Sequence, residues 1–186
     1  MSNRSLPAKW ETPRLCVEDS INDDLPDLQQ IHDDNPTIHG WTDAEANLPD
    51  YPMSTVLTDG VLPPNGSKEL FQMQSIKLKL TDQLIGMIGV YQGFPDVDIL
   101  WINILAFHTL YQNKGFGKEV MDGLSGIVKN TGAFTRMRTS VNLKNLPSLR
   151  LCLKAGFDKI ILMDNDPRYP EEDGATSFIL EKSLFG

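Results

Sequence analysis

The residues best equipped for chemistry in this chain of 186 amino acids stand between Gln112 and Lys118, in the run Gln-Asn-Lys-Gly-Phe-Gly-Lys. Gly115 and Gly117 are one residue apart and flanked by Lys114 and Lys118. An apolar run precedes them and a helical pattern follows. The first N–H groups of a helix have no acceptor inside the helix, and they carry the positive end of its dipole. Glycine lets such a backbone come close to an anion. The two lysines add whole charges, so the stretch reads as a phosphate cradle at a strand-to-helix turn. Its spacing, Gln112-x-x-Gly115-x-Gly117, fits neither the P-loop nor the G-x-G-x-x-G fingerprint. A solvated turn that carries two glycines is the alternative.

A second constellation lies about thirty residues on: Asn145-x-x-Ser148-x-x-Leu151-Cys152-x-x-x-Gly156-Phe157. Asn145 suits the N-cap of a short helix, Pro147 its first turn and Gly156 its C-terminal end. Cys152 faces inward on that helix, either as a thiol able to give up a proton or carry an acyl group, or as a small apolar packing residue. Cys16 and Cys152 lie far apart without metal-like spacing, which points to reduced thiols, a cytoplasmic location and no metal.

These residues need elements to position them. A strand is predicted over 12–17, then a helix from Ser20 or Asn22 to Asp33 with Ile21, Leu25, Leu28 and Ile31 on one face. Thr42 and Glu45 form the capping box of a second short helix. Residues 1–11 read as a loose arm with Trp10 as its anchor. Residues 50–68 read as a long loop or lid, with a helical turn near 53–58. Strands follow over 70–80, 84–91 and 97–107 as an antiparallel meander. In the first of these the apolar phase switches from Phe71, Met73 and Ser75 to Ile76, Leu78 and Leu80, which suggests a bulge. A helix over 115–130 ends at Thr131-Gly132, and a right-handed crossover brings a strand over 135–141 beside the preceding one. The helix 146–154 and strands over 157–163 and 176–182 complete an α+β (α/β) chain with a mixed, mostly antiparallel sheet of six or seven strands and about four helices, read as one domain over 1–186.

The formal net charge of −8 is uneven. Residues 1–60 hold 12 acidic and 3 basic side chains; the remainder is close to neutral. That balance argues against a nucleic-acid partner and is compatible with a cationic acceptor, although a solvated acidic face explains it equally well. No apolar run is long enough for a membrane span, and the N-terminus has no signal-peptide pattern.

The cradle spacing resembles the [QR]-x-x-G-x-[GA] pyrophosphate loop of the GCN5-related N-acetyltransferase (GNAT) superfamily. The Asn145–Phe157 run resembles that family's N-x-x-A-x-x-L-Y-x-x-x-G-F without a gap, and the element order is the family's. Glu11-Thr12-Pro13-Arg14-Leu15 resembles the opening strand of members related to the ribosomal-protein N-terminal acetyltransferases. The resemblance implies a GNAT-like sheet whose fourth and fifth strands splay apart. It implies acetyl-CoA as co-substrate and transfer of its acetyl group to an amine, by direct attack in a ternary complex. The acceptor is a small molecule or a protein amine, and a homodimer is compatible with the family's habit. Pantetheine would lie in the splay against Leu105, Ala106 and Phe107. The pyrophosphate would rest on Gln112, Asn113, Lys114, Gly115, Phe116, Gly117 and Lys118. Asn145 and Ser148 would close the other side.

The match departs from the family at the catalytic positions. Cys152 stands where many relatives carry the tyrosine that protonates the leaving thiolate; Tyr111 and Tyr169 are other candidate acids. Trp101 and Asn103 stand where relatives often carry a base. Asn103 can hold a water that relays the proton, Asp98 is a distant acceptor, and His108 suits a local hydrogen bond. His32, His39 and Trp41 belong to the part that shapes the acceptor pocket. The alternative to an enzyme is a CoA-binding regulatory module with little or no chemistry.

Overall fold

The computed structural model describes residues 6–35, 52–143, 145–165 and 176–185. Eight strands form one sheet: β1 Lys9–Glu11, β2 Leu15–Asp19, β3 Phe71–Leu78, β4 Leu84–Gln92, β5 Ile99–Phe107, β6 Arg136–Asn142, β7 Lys159–Asn165 and β8 Thr176–Ser183. The order across the sheet is β1-β2-β3-β4-β5-β6-β8-β7. Among the pairs, β5–β6 alone is parallel, which is the consequence of the crossover through a helix. The helices are α1 Leu25–Asp33, α2 Met53–Asp59, α3 Phe116–Thr131 and α4 Leu146–Lys154. The helix expected after Thr42 falls outside the described residues.

Each face of the sheet buries its own helices. Val120, Met121, Leu124 and Val128 of α3 pack with Cys152 and Ala155 of α4 on Leu100, Ile102 and Phe107 of β5. On the other face Leu28 and Ile31 of α1, with Met53 and Val56 of α2, pack on Phe71, Met73 and Met87. The apolar stripes that position α1 and α3 are the ones legible in the sequence.

Three expectations need correction. The sheet has eight strands, because residues 6–11 are not a loose arm. Leu6 and Trp10 are buried, β1 pairs with β2, and Trp10 Nε1 donates to Gln74 Oε1 at 2.8 Å. Within 50–68 the helical turn expected near 53–58 is present as α2 and residues 60–67 are loop, but Met53 and Val56 are core residues, so the first part is packed on the sheet. Finally, β3 does not change phase. Phe71 and Met73 face α1 and α2, while Ile76 and Leu78 face α3. The apparent switch arises because Gln72 and Gln74, on the α3 face, are polar yet buried: the Nε2 of each donates to Pro7 O and Asp19 Oδ1, and Gln74 Oε1 accepts from Trp10 Nε1. The irregularity there lies across the ladder: Ile76 pairs with Gly86 and Lys77 with Leu84, which leaves Ile85 of β4 as the extra residue.

Candidate active site

The cradle is a chain reversal between β5 and α3. After Phe107, His108 N donates to Ile85 O at 2.9 Å, and one turn of 3-10 helix covers Thr109–Tyr111. His108 Nδ1 accepts from Leu110 N at 3.2 Å, the local bond its position suggested. Asn113 (φ +59°) and Gly115 (φ +82°) are left-handed, whereas Lys114 between them is not. Alternation of this kind turns successive N–H groups toward one concavity, an anion-binding nest. Glu119 N donates to Gly115 O at 3.1 Å and opens the helical ladder of α3, so the N–H groups of the residues before Glu119 precede it.

The two glycines serve different needs. At Gly115 an added Cβ would meet only Arg14 Nη2, at 3.6 Å, so the requirement is the positive φ. At Gly117 a Cβ would lie 3.0 Å from Leu151 Cδ2 and 3.7 Å from Phe107 Cε2, so the requirement is close approach of α3 to α4 and the β5 end. Lys114 Nζ lies 5.2 Å from the Tyr111 ring centroid, and Lys118 Nζ is paired with Asp122 Oδ2 at 2.5 Å. Gln112 does not point outward: its Nε2 donates to Phe107 O at 3.0 Å and ties the loop to the strand end. Asn35 Nδ2 reaches the same carbonyl at 3.4 Å, so Phe107 O already has two donors. Ala106 is buried on the α1 face, while Leu105 packs toward α3 and α4.

The fourth and fifth strands of the expected order, here β5 and β6, separate. Their parallel register runs from Ile99↔Arg136 to Ile102↔Thr139 and ends there, although β5 continues to Phe107 and β6 to Asn142. Thr139 Oγ1 donates to Ile102 O at 3.1 Å at the point of separation. On its other edge β5 carries a bulge: Val90 pairs with Ile102 and Gly89 with Ile104, so Asn103 is the extra residue. Asn103 Oδ1 is buried with no hydrogen-bond partner among the described residues. A buried acceptor without a donor costs about 1–3 kcal/mol, so an orphan where two strands part marks a place for a ligand donor or water. Beyond the split, Asn145 caps α4: its Oδ1 accepts from Ser148 N at 3.0 Å, which occupies that oxygen and leaves the Nδ2 donor. The left-handed nest, the opened strand edge and the orphan acceptor together fit a long ligand with a phosphate at one end.

The proposed proton carriers fare differently. Cys152 is buried in the core on the inner face of α4, and burial pushes its thiol up to about 11. Such a thiol stays protonated and is a poor proton donor to a less basic thiolate. Asp98 is held at about 2 by hydrogen bonds from Arg136 and then Thr135, at the start of β5 where the strands are still paired. It is therefore a structural anion and a poor proton acceptor. Tyr111 Oη donates to Gln83 Oε1 at 2.7 Å, and His32 is buried with Nδ1 3.1 Å from Asp33 Oδ1. His39, Trp41 and Tyr169 fall outside the described residues. Two groups at the cradle went unassigned in the sequence: Arg14 and Glu119, which meet across it. Their only signal was the Glu11–Leu15 motif.

The fold is that of an acyl-CoA-dependent acyltransferase scaffold. The sequence profile of the Acetyltransferase (GNAT) family matches residues 25–157, and the chain belongs to that family of N-acetyltransferases. No curated protein sequence matches the chain. Among solved structures, a GNAT-family acetyltransferase from Bacillus anthracis superposes with a TM-score of 0.73 at 13% identity, over 96% of this chain and 99% of that one. A protein assigned as a ribosomal-protein-serine acetyltransferase from Vibrio cholerae gives 0.69 at 19% identity, over 94% and 97%. Spermidine N-acetyltransferase from Vibrio cholerae, in complex with CoA and spermine, gives 0.70 at 9% identity, over 91% and 95%. At these identities the likeness is one of fold. Among the described residues no helix is long and apolar enough to cross a membrane.

Proposed function

We propose that the protein moves the acetyl group of acetyl-CoA to a primary amine by direct attack in a ternary complex. The observation that carries this reading is the end of the β5–β6 register at Ile102↔Thr139, immediately before the left-handed nest at Asn113 and Gly115. The co-substrate supplies the activated acyl group; the chain binds and orients it. The N–H groups from Asn113 to Lys118 hold the pyrophosphate. The unpaired β5 edge around Leu105 hydrogen-bonds the pantetheine amides, and the Asn145 amide donates from the opposite wall. Asn103 Oδ1 accepts an N–H of the incoming amine, directly or through one water, and so aligns its lone pair. A strand N–H beside the bulge polarises the carbonyl under attack.

Neither Trp101 nor Asn103 titrates near neutrality, and Cys152 holds its proton. The amine therefore reacts as the neutral form and its nitrogen bonds the carbonyl carbon as the C–S bond breaks; CoA departs as the thiolate, the proton lost by the nitrogen leaves through solvent, and the rate rises with pH as the amine deprotonates. One structural neighbour is named as a spermidine N-acetyltransferase and another as a ribosomal-protein-serine acetyltransferase, which supports an amine acceptor on a small molecule or a protein without choosing between them. The lack of a titrating group at Trp101 and Asn103, with Cys152 held protonated, favours a second reading, a CoA-binding module with little chemistry.

A thermal melt with acetyl-CoA, CoA or ATP tests the cofactor. Ligand at about 100 times its Kd adds roughly 2.7 kcal/mol, a shift on the order of several degrees for a chain of this size. Stabilisation by both CoA species and not by ATP is expected; no shift with any of them overturns the reading. Thiol release across a panel of amines then decides between enzyme and module.

A further inference from the structure

A stretch of backbone about one hundred residues earlier in the chain grips the cradle. Gly115, Glu119 and Gly123 are spaced by four and share one face of the first half of α3. Trp10, Thr12 and Arg14 are spaced by two from within β1 to the end of its connection to β2. The two series meet in opposite directions. Trp10 lies against Gly123, where an added Cβ would be 2.9 Å from its Cζ3. Thr12 Oγ1 donates to Glu119 Oε1 at 2.6 Å. Arg14 donates from N to Glu119 Oε1 at 2.8 Å and from Nε to Oε2 at 2.6 Å. Arg14 Nη1 and Nη2 each donate to Lys114 O at 3.3 Å, and the guanidinium carbon stands 4.2 Å from the Phe116 ring centroid.

Arg14 thus binds both sides of left-handed Gly115: the carbonyl of the residue before it and the carboxylate one turn after it. Burial opposes ionisation of Glu119, but the donors from Thr12 and Arg14 outweigh it and its acidity is increased. A half-exposed ion pair contributes little to stability. A planar fork of donors, however, fixes geometry. We infer that Arg14 is a positioning residue for the phosphate cradle, acting through Glu119 and the Lys114 carbonyl to hold the N–H groups of the nest in line. Its own charge is committed to Glu119, so it acts without touching the phosphate. This inference rests on the reading of residues 113–118 as the CoA cradle.

The test is CoA affinity by calorimetry and steady-state kinetics on the full chain, for wild type, Arg14→Met, Arg14→Lys and Glu119→Gln. Met keeps an unbranched apolar stem of similar length and removes the fork. Both Arg14→Met and Glu119→Gln are expected to raise the Kd for CoA and the KM for acetyl-CoA about tenfold. The turnover at saturating acetyl-CoA and the KM for the amine stay within about twofold. Arg14→Lys, which keeps the charge without the fork, restores less than half of the lost affinity on a logarithmic scale. Glu119→Gln is the decisive variant and suffices alone if Arg14→Met does not fold. Removing a carboxylate beside an anion site should tighten binding by simple electrostatics, so tighter or unchanged CoA binding overturns the inference. A lowered Tm with unchanged Kd also overturns it, as a merely structural role. If wild type takes up no CoA, the cradle reading itself fails; if wild type binds and Arg14→Met binds equally, only the positioning role fails.

Discussion

At the residue scale, the side chains that fill the catalytic places are ones that do not titrate there. Cys152 is buried and its thiol sits at about 11. Cys152→Ser is expected to lower stability by about 1–3 kcal/mol, because a hydroxyl replaces a thiol in an apolar site. The pH–rate profile should not move, since no proton passes through residue 152. A denaturant titration and a pH series read the two effects separately, and loss of an alkaline limb in the profile would return Cys152 to the chemistry. Asn103→Leu removes the orphan acceptor on the β5 bulge. It should raise the KM for the amine by about tenfold or more, while CoA binding stays the same and stability does not fall, because no intramolecular hydrogen bond is broken.

At the scale of elements, the helix ends carry the site. Gly115→Ala forces a residue with a Cβ to φ +82°, at a cost of about 1–2 kcal/mol by chemical denaturation. Its steric surroundings are open, so the loss is conformational, and it should appear in CoA affinity as well as in stability. At the start of α4, Asn145→Ala removes the bond to Ser148 N and should cost about 1 kcal/mol. Asn145→Asp keeps the cap and removes the Nδ2 donor. It is therefore expected to fold like wild type and bind CoA more weakly, which separates the cap from the ligand contact. Both motifs were legible because a cap or a left-handed glycine is a local requirement of the backbone.

At the scale of the whole molecule, the sheet is fastened at the closed end and parts at the other. Arg136 bonds Asp98 at 2.6 Å beside the first β5–β6 pair, and Arg138 bonds buried Glu181 of β8 at 2.7 Å. Hydrogen bonds from Arg136 and Thr135 lower Asp98 from 3.8 to about 2. A carboxylate depressed on folding adds stability that is fully present above its unfolded value and lost as pH falls through its folded one. The Asp98 contribution therefore holds above about pH 4 and is lost toward pH 2. Asp98→Asn should be less stable than wild type at neutral pH, and the gap should close as pH falls through that window. A gap that stays constant from pH 7 to pH 2 would show that the Asp98 charge does not couple to folding.

The sequence by itself determined the element order, the antiparallel meander, the two helix-start motifs and the family, since each depends on periodicity or on the conformational needs of one turn. It did not reveal that Trp10 is a core residue of an eighth strand, that Gln72 and Gln74 are buried, or that residues 53–59 form a packed helix. Those outcomes turn on partners distant in sequence: Pro7 and Asp19 accept from both glutamines, Trp10 donates to Gln74, and Phe71 receives Met53 and Val56. Only the tertiary structure decided that Asn103 stands on a bulge where two strands part, that Cys152 is sealed in the core, and that Arg14 and Glu119 meet across the cradle. The reason is physical. Backbone geometry is set by neighbours along the chain, whereas burial, acidity and hydrogen-bond partnership are set by whatever the fold brings alongside.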